Sequence, residues 1–188
     1  MPTTLSTDRL TLRTYADADA DALFDLHSRV EVQRWLGDGK PMTDVAQARA
    51  SIVRRREVPY HEPMGIWAID FEGRLVGTLL LKPIPISGTP QAADSSNPKF
   101  ALDSPEIEIG WHLHPDVWGK GIATEAATRV LEHASALPRI VAVTYPQNLP
   151  SQRVTARLGM RDAGLTDRYY NLTMRLFVLE RGRLDVAR

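Results

Sequence analysis

The sequence predicts an α/β fold in which helices flank a mixed central sheet. Between Glu106 and Leu113, apolar residues alternate strictly with polar or small residues, which is typical of a half-buried strand. From Ile122 onward, apolar residues recur at helical spacing, so the strand feeds a helix. Segments of both kinds follow one another along the chain in the order β, α, α, β, β, β, α, β, α, β, β, which is typical of an α/β sandwich.

The first half of the chain supplies two helices and three strands. Leu10 and Leu12 mark a first strand, and acidic residues then lead into a helix with apolar positions Leu23, Phe24, Leu26 and Val30. Thr43 is the expected N-cap of the second helix, whose buried side carries Val45, Ala48, Ile52 and Val53. Residues 66–70 and 75–82 read as a hairpin in which Gly73 takes a positive φ.

The second half begins with a long exposed loop at about residues 83–105, rich in Pro, Ser, Gly and Asn. Residues 139–143 predict a strand, and Ser151 is the expected cap of a short helix that ends at Gly159. Residues 160–165 and 171–179 predict two more strands. The last strand is apolar on both faces and should therefore lie inside the sheet.

Composition limits the classes of function. The 188 residues indicate a single domain over 1–188, and 23 basic residues balance 23 acidic ones, so neither nucleic acid nor a membrane surface is expected as a partner. The N-terminus has no secretory pattern, so the expected location is cytoplasmic. A homodimer is compatible with the sequence. Because cysteine is absent, acyl transfer cannot pass through a protein thioester.

The turn between the central strand and its helix carries a candidate anion site. Gly119 and Gly121 allow a ligand to approach the backbone closely, and the first amides of the following helix point outward with the positive end of the dipole behind them. The alternative interpretation is a tight turn without a ligand. The sequence contains no GxxxxGK[ST] motif and no full dinucleotide fingerprint.

Three segments resemble one family. "EIGWHLHPDVWGKGIATEAATRVLEHA" resembles the acetyl-CoA motif of the GNAT N-acetyltransferase superfamily, in the form found in RimJ/RimL-type ribosomal-protein N-acetyltransferases. Trp118 stands where the superfamily motif has Gln or Arg, but it is common in the RimJ/RimL-like subset. "NLPSQRVTARLGM" is similar to the second superfamily motif, and "TDRLTLRTYADADADALFDL" to the start of RimJ/RimL-like enzymes.

This resemblance implies a GNAT-like fold and transfer of acetyl from acetyl-CoA directly to a primary amine, either a protein N-terminal α-amine or a small-molecule amine. The implied acetyl-CoA-binding residues are His112, Leu113, Trp118, Gly119, Lys120, Gly121, Ile122, Ala123, Thr124, Asn148 and Ser151. No metal is implied. His112 and His114 alternate on one strand without a third ligand and are interpreted as polar face residues.

The chemistry needs a base, because an amine arrives mostly as ammonium. Glu106 and Glu108 share one face of the strand; the resemblance favours Glu108, and Glu106 stays as the reserve. Ser151 matches the family serine that protonates the departing thiolate, with Tyr145 as the alternative donor. A backbone amide near His112 or Leu113 is the expected oxyanion donor.

Two other functions remain open from the sequence. One is a non-catalytic acyl-CoA-binding module that acts as a sensor or scaffold, and the other is nucleotide binding at the same turn.

Overall fold

Eight strands form a single sheet in the order β1-β2-β3-β4-β5-β6-β8-β7. The structure is a computed structural model that describes residues 2–89 and 106–181. The strands are β1 Leu5–Ser6, β2 Leu10–Arg13, β3 Gly65–Phe71, β4 Arg74–Pro83, β5 Ile107–Leu113, β6 Arg139–Thr144, β7 Arg161–Tyr169 and β8 Leu172–Glu180. The predicted position of the last strand inside the sheet is confirmed, because β8 lies between β6 and β7.

Five α-helices accompany the sheet in the described part of the chain. They are α1 Ala20–Ser28, α2 Val30–Gln33, α3 Val45–Glu57, α4 Ile122–His133 and α5 Leu149–Arg157. Short 3-10 turns precede α1 at Asp17–Asp19 and follow β5 at Pro115–Val117. None of these helices is both long and apolar enough to cross a membrane.

The alternation of side chains on the central strands places a core on each face of the sheet. On one face, Ile109 and Leu113 pack with Ile122, Ala126 and Val130 of α4. On the other face, Leu23 and Leu26 of α1 and Ala48 and Ile52 of α3 pack with Ile66 and Ala68 of β3. The helices therefore cover both faces, and the predicted mixed sheet with flanking helices is confirmed.

The strands β5 and β6 form the one parallel pair among the described strands, and they diverge. The ladder between them consists of the single pair Glu108 and Val141. In contrast, β5 pairs with β4 along its full length, from Ile107 to Leu113. The carboxyl ends of β5 and β6 consequently border a gap, which is where open α/β sheets bind ligands.

Several boundaries differ from the sequence prediction. A short β1 and the one-turn α2 were not expected. The predicted first helix ends at Ser28 and a separate helix begins at Val30, so Val30 is 62 % exposed and does not belong to the buried side of α1. Val53, expected on the buried side of α3, is 44 % exposed. The N-cap of α3 is Asp44, not Thr43, because the Asp44 carboxylate accepts a hydrogen bond from the amide of Ala46 at 2.7 Å.

The predicted loop at 83–105 is described only at its start. Ile84 is buried and Ile86 forms an isolated bridge to Tyr169, so these residues run along the hairpin of β7 and β8. Residues 90–105 lie outside the described part of the chain.

Candidate active site

The turn that joins β5 to α4 has the geometry of an anion site. Gly119 and Gly121 both adopt left-handed backbone conformations, with φ of 76° and 79°, which a residue with a side chain rarely adopts. Nothing lies within 4 Å of a Cβ placed on Gly119. The first hydrogen bond of α4 joins the amide of Glu125 to the carbonyl of Gly121 at 3.0 Å. The amides of Ile122, Ala123 and Thr124 therefore have no carbonyl partner within the helix.

Trp118 and Lys120 line the same turn with exposed side chains. The indole of Trp118 is 47 % exposed, and its Nε1 donates to the carbonyl of Leu113 at 2.8 Å. This bond ties the turn back to the end of β5. Of the helix residues expected to bind the cofactor here, Ile122 and Ala123 have buried side chains, so only their backbone can meet a ligand, whereas Thr124 is partly exposed.

Arg9, which lies between β1 and β2, contacts the turn between β5 and α4, and the sequence did not predict this contact. Its Nη2 donates to the carbonyl of Lys120 at 3.1 Å, and its Nε donates to Glu125 at 2.7 Å. Burial acts to raise the pKa of Glu125, but hydrogen bonds from Thr7 and Arg9 outweigh it, so this pKa is lowered. The contact leaves the Glu125 carboxylate, in the first turn of α4, paired with a cation.

Asn148 and Ser151 lie at the start of α5, on the β6 side of the gap. Asn148 is the N-cap, since its side chain accepts a hydrogen bond from the amide of Ser151 at 3.2 Å. The expectation that Ser151 caps the helix is therefore wrong. Ser151 lies in the first turn. Tyr145, the alternative thiolate donor, packs against the ring of Trp35 with centroids 5.9 Å apart.

Glu108 is buried on the β5 face that α1 and α3 cover, with 5 % of its surface exposed, so it is not on a solvated strand face. Its Oε1 forms an ion pair with Nζ of Lys82 at 2.6 Å and accepts a hydrogen bond from the phenol of Tyr170. Lys82 also donates to the Tyr170 oxygen at 3.1 Å. Both contacts are to Oε1, and Oε2 accepts no hydrogen bond from the described residues.

Glu106 lies just before β5 and has a different set of partners. The phenol of Tyr169 donates to it, and the guanidinium groups of Arg139 and Arg168 lie 3.7 and 3.6 Å away. Burial and this hydrogen bond raise the pKa of Tyr169 to about 12. The two glutamates are thus held by adjacent tyrosines at the tip of one hairpin.

The hairpin between β7 and β8 places these tyrosines by means of an unusual turn. Tyr170 and Asn171 are its two central residues, and both have positive φ, 60° and 56°. Asn suits this conformation, whereas a bulky Tyr adopts it at a cost of about 1–2 kcal/mol. Burial first, and then the charge of Glu108, raise the pKa of Tyr170 well above its ordinary value.

His112 lies four residues beyond Glu108 on the same face and continues the polar row. Its Nε2 is 3.2 Å from Nε2 of His27, whose Nδ1 is 3.1 Å from the side-chain oxygen Oε1 of Gln33. Burial, together with the charge of Arg55, lowers the pKa of His27 to about 4. Burial first, and then the charges of His27 and Arg55, hold the pKa of His112 well below its ordinary value.

Between Glu108 and His112 the strand has a glycine. Gly110 lies opposite Leu80 of β4, and a Cβ at Gly110 would come within 3.1 Å of the Leu80 side chain. A glycine inside a strand is a mark of close approach by a ligand or another backbone. Here the Leu80 side chain occupies that space, so the glycine lets β4 pack closely on β5 between the two polar residues.

The described residues contain no group of three or more His, Cys, Asp or Glu side chains arranged to hold a metal ion. His112 and His114 have separate partners, because His114 Nε2 is 3.1 Å from the carboxylate of Asp25.

The mixed sheet with helices on both faces and the glycine turn at the diverging parallel strand pair indicate an acyltransferase. The chain belongs to the GNAT acetyltransferase family, because the family profile described as "Acetyltransferase (GNAT) domain" matches residues 9–161. It is an N-acetyltransferase of that family.

Relatives and solved structures agree with this assignment. YoaA of Bacillus subtilis (strain 168), described as an uncharacterized N-acetyltransferase, is 30 % identical over 171 residues, which are 88 % of this chain and 86 % of YoaA. The fold matches Mycobacterium smegmatis RimJ in complex with CoA-disulfide, with a TM-score of 0.73, 24 % identity and coverage of 98 % and 90 % of the two chains. It also matches RimL, a ribosomal L7/L12 α-N-protein acetyltransferase in complex with coenzyme A, with a TM-score of 0.71, 15 % identity and coverage of 95 % and 98 %.

Proposed function

We propose that the protein transfers acetyl from acetyl-CoA directly to a primary amine while both substrates are bound. The acceptor is a protein N-terminal α-amine or a small-molecule amine, and the likeness to RimJ and RimL supports the first. The observation that carries the proposal is the position of Glu108, a buried carboxylate on the central strand whose Oε2 accepts no hydrogen bond from the described residues.

The residues of the turn fit the pyrophosphate of acetyl-CoA. Amides from Gly119 to Thr124 are free of helical partners, and the open space at Gly119 allows a phosphate to approach the backbone. When bound, acetyl-CoA supplies an activated acetyl group as a thioester. A thioester that extends from the turn into the gap would pass the backbone of His112 and Leu113. The register of β4 and β5 pairs the His112 amide with β4 and turns the Leu113 amide away from it, so Leu113 is the proposed oxyanion donor.

Glu108 removes a proton from the incoming ammonium. Lys82 and Tyr170 fix the carboxylate through Oε1, so Oε2 is the atom that accepts this proton. The unprotonated amine then attacks the thioester carbon, and the C–S bond breaks as coenzyme A leaves as thiolate. Ser151, on the opposite side of the gap, is the proposed proton donor to that thiolate, and it regains a proton from the nitrogen, which loses its second proton as the amide forms; Tyr145 remains the alternative.

A matched pair of variants tests the choice of base. Glu108→Gln keeps the shape of the side chain but cannot accept a proton, so we expect kcat to fall by roughly 10²–10⁴-fold. Glu106→Gln, next to Tyr169, should lower kcat by less than about tenfold. Turnover is followed by thiol release in the presence of a panel of amines, with products identified by mass spectrometry.

Binding of acetyl-CoA serves as the control, measured by isothermal titration for the wild type and both variants. We expect all three to bind with similar affinity. If Glu106→Gln loses turnover and Glu108→Gln retains it, the two glutamates have the opposite roles. If neither variant loses turnover, no carboxylate acts as base here.

A further inference from the structure

Arg55 presents an unpaired guanidinium nitrogen inside the protein. It lies in the last turn of α3, where an arginine that merely complements the helix dipole would point to solvent. Instead, its guanidinium lies over the ring of Tyr15, 5.0 Å from the centroid, and Nη2 is 3.5 Å from Nε2 of His27. Nη1 is buried and has no hydrogen-bond partner among the described residues.

The groups around Arg55 do not neutralise its charge. His27 accepts hydrogen bonds through Nε2, because its Nδ1 faces the oxygen of Gln33 and must carry the proton. A histidine in that form is neutral, and Tyr15 is a neutral phenol that bonds to Thr78 at 2.7 Å. Among the described residues, no carboxylate lies within ion-pair distance of Arg55. Buried cations are otherwise paired in proteins.

Tyr60 adds a second buried donor without a partner. It follows α3 by three residues, and its hydroxyl makes no hydrogen bond within residues 2–89 and 106–181. Burial, and then the charge of Glu108, raise the pKa of this phenol, so it stays protonated and able to donate. Arg55 and Tyr60 therefore offer two unused donors near the sheet face that carries Glu108.

We infer that the acceptor amine also carries a carboxylate, which accepts hydrogen bonds from Arg55 Nη1 and the Tyr60 hydroxyl while Glu108 receives the amine. This inference rests on the proposed function, because it describes the second end of the acceptor in the same site. A carboxylate has two oxygens for these two donors, and it supplies the negative charge that Arg55 lacks.

The strand sets the scale of the acceptor. His112 contacts His27, which in turn contacts Arg55, so His112 lies at the Arg55 end of the site. Glu108 and His112 are four residues apart, or about 13 Å along β5. We take that distance as the scale of the separation between the amine and the carboxylate. Amino acids, ω-amino acids and peptides with an acidic first residue all fall within it.

The test compares acceptors that differ only in the carboxylate. Thiol release from acetyl-CoA is measured with glycine, β-alanine, 4-aminobutyrate and 6-aminohexanoate, and with the carboxamide of each. A tetrapeptide amide that begins with Asp and one that begins with Asn distinguish a peptide source of the carboxylate from a free amino acid. For at least one pair, we expect kcat/KM to be about tenfold or more higher for the carboxylate, as for a hydrogen bond to a charged group.

Variants then assign that preference to the two donors. Arg55→Gln should bring the ratio for the preferred pair to within about twofold, by raising KM for the carboxylate acceptor more than for its carboxamide. Arg54→Gln is the matched control, since Arg54 is the exposed neighbour on the same helix turn, and it should keep the wild-type ratio. Tyr60→Phe, which removes one oxygen, should lower the ratio on its own and provides a test even if Arg55→Gln does not fold.

The outcomes separate this inference from the proposed function. Equal rates for every carboxylate and carboxamide pair would overturn the inference while leaving amine acetylation intact. So would a carboxylate preference that survives in both Arg55→Gln and Tyr60→Phe. Failure to bind acetyl-CoA, or binding without acetylation of any amine, would instead overturn the proposed function.

Discussion

Acid should destabilise the protein through His27 before its carboxylates protonate. The pKa of His27 is about 4 in the folded protein, because the ring is buried and lies near Arg55, whereas a histidine in an unfolded chain has its ordinary value of 6.5. Above pH 6.5 the ring is neutral in both states. Between pH 6.5 and 4 the unfolded chain binds a proton that the folded chain does not, so stability falls as the pH falls.

The size of this effect follows from the shift. At pH 5 the histidine is protonated in the unfolded chain and neutral in the folded protein. Because pH 5 is about 1.5 units below the ordinary pKa, the free energy of unfolding is lower than at neutral pH by about 2 kcal/mol. By pH 4 the loss approaches about 3 kcal/mol. The pKa of His112 is also lowered, which adds a loss of the same sign. For a domain of ordinary stability, 2 kcal/mol is a large fraction of the free energy of unfolding.

Urea unfolding followed by circular dichroism at pH 7 and pH 5 measures this loss. His27→Gln retains a hydrogen-bonding side chain but cannot titrate, so its drop between the two pH values should be smaller than that of the wild type by about 2 kcal/mol. His61→Gln removes an exposed histidine and should leave the wild-type drop unchanged. Equal drops for His27→Gln and the wild type would refute the reasoning.

Two further predictions use pairs of similar residues as controls. Gly119→Ala and Gly39→Ala should each lower stability by about 1–2 kcal/mol, because both glycines have φ of 76° and open space at the Cβ position. Only Gly119→Ala should weaken coenzyme A binding, by about tenfold or more in isothermal titration, and equal affinities would argue against the turn as its site. Tyr170→Phe should lower kcat and alter its pH profile by removing the hydrogen bond to Glu108, whereas Tyr169→Phe should lower kcat less. The reverse order in stopped-flow or steady-state assays would contradict this assignment.

The sequence predicted the elements whose signals are local. The change from alternation to helical spacing between Ile107 and Val130 was enough to place β5, its glycine turn and α4. Gly119 and Gly121 marked the turn because few other residues adopt its conformation. Pro150 is a further local signal, because proline is favoured in the first turn of a helix, and the cap Asn148 lies two residues before it.

The partners within the site could not be predicted, because they come from distant parts of the chain. The contact between Lys82 and Glu108 follows from the register of β4 on β5, which the sequence does not reveal. His27 and His112 are 85 residues apart and meet because α1 packs across the sheet. Gly110 was visible in the sequence as a glycine inside a strand, but its neighbour Leu80 on β4 follows only from the strand register.

The conformation of Tyr170 was the hardest feature to predict. A Tyr-Asn pair is a weak signal for a two-residue hairpin, since the first position is normally taken by Asn, Asp or Gly. The positive φ at Tyr170 shows that contacts made by its side chain outweigh the preference of its backbone. Such contacts are long-range and leave no local pattern.

A crystal structure of the protein with coenzyme A tests the central claim most directly. The account predicts density for the pyrophosphate within about 3.2 Å of backbone amides between Gly119 and Thr124, with the thiol in the gap between β5 and β6. Coenzyme A bound elsewhere, or a turn filled by side chains of the protein itself, would contradict it.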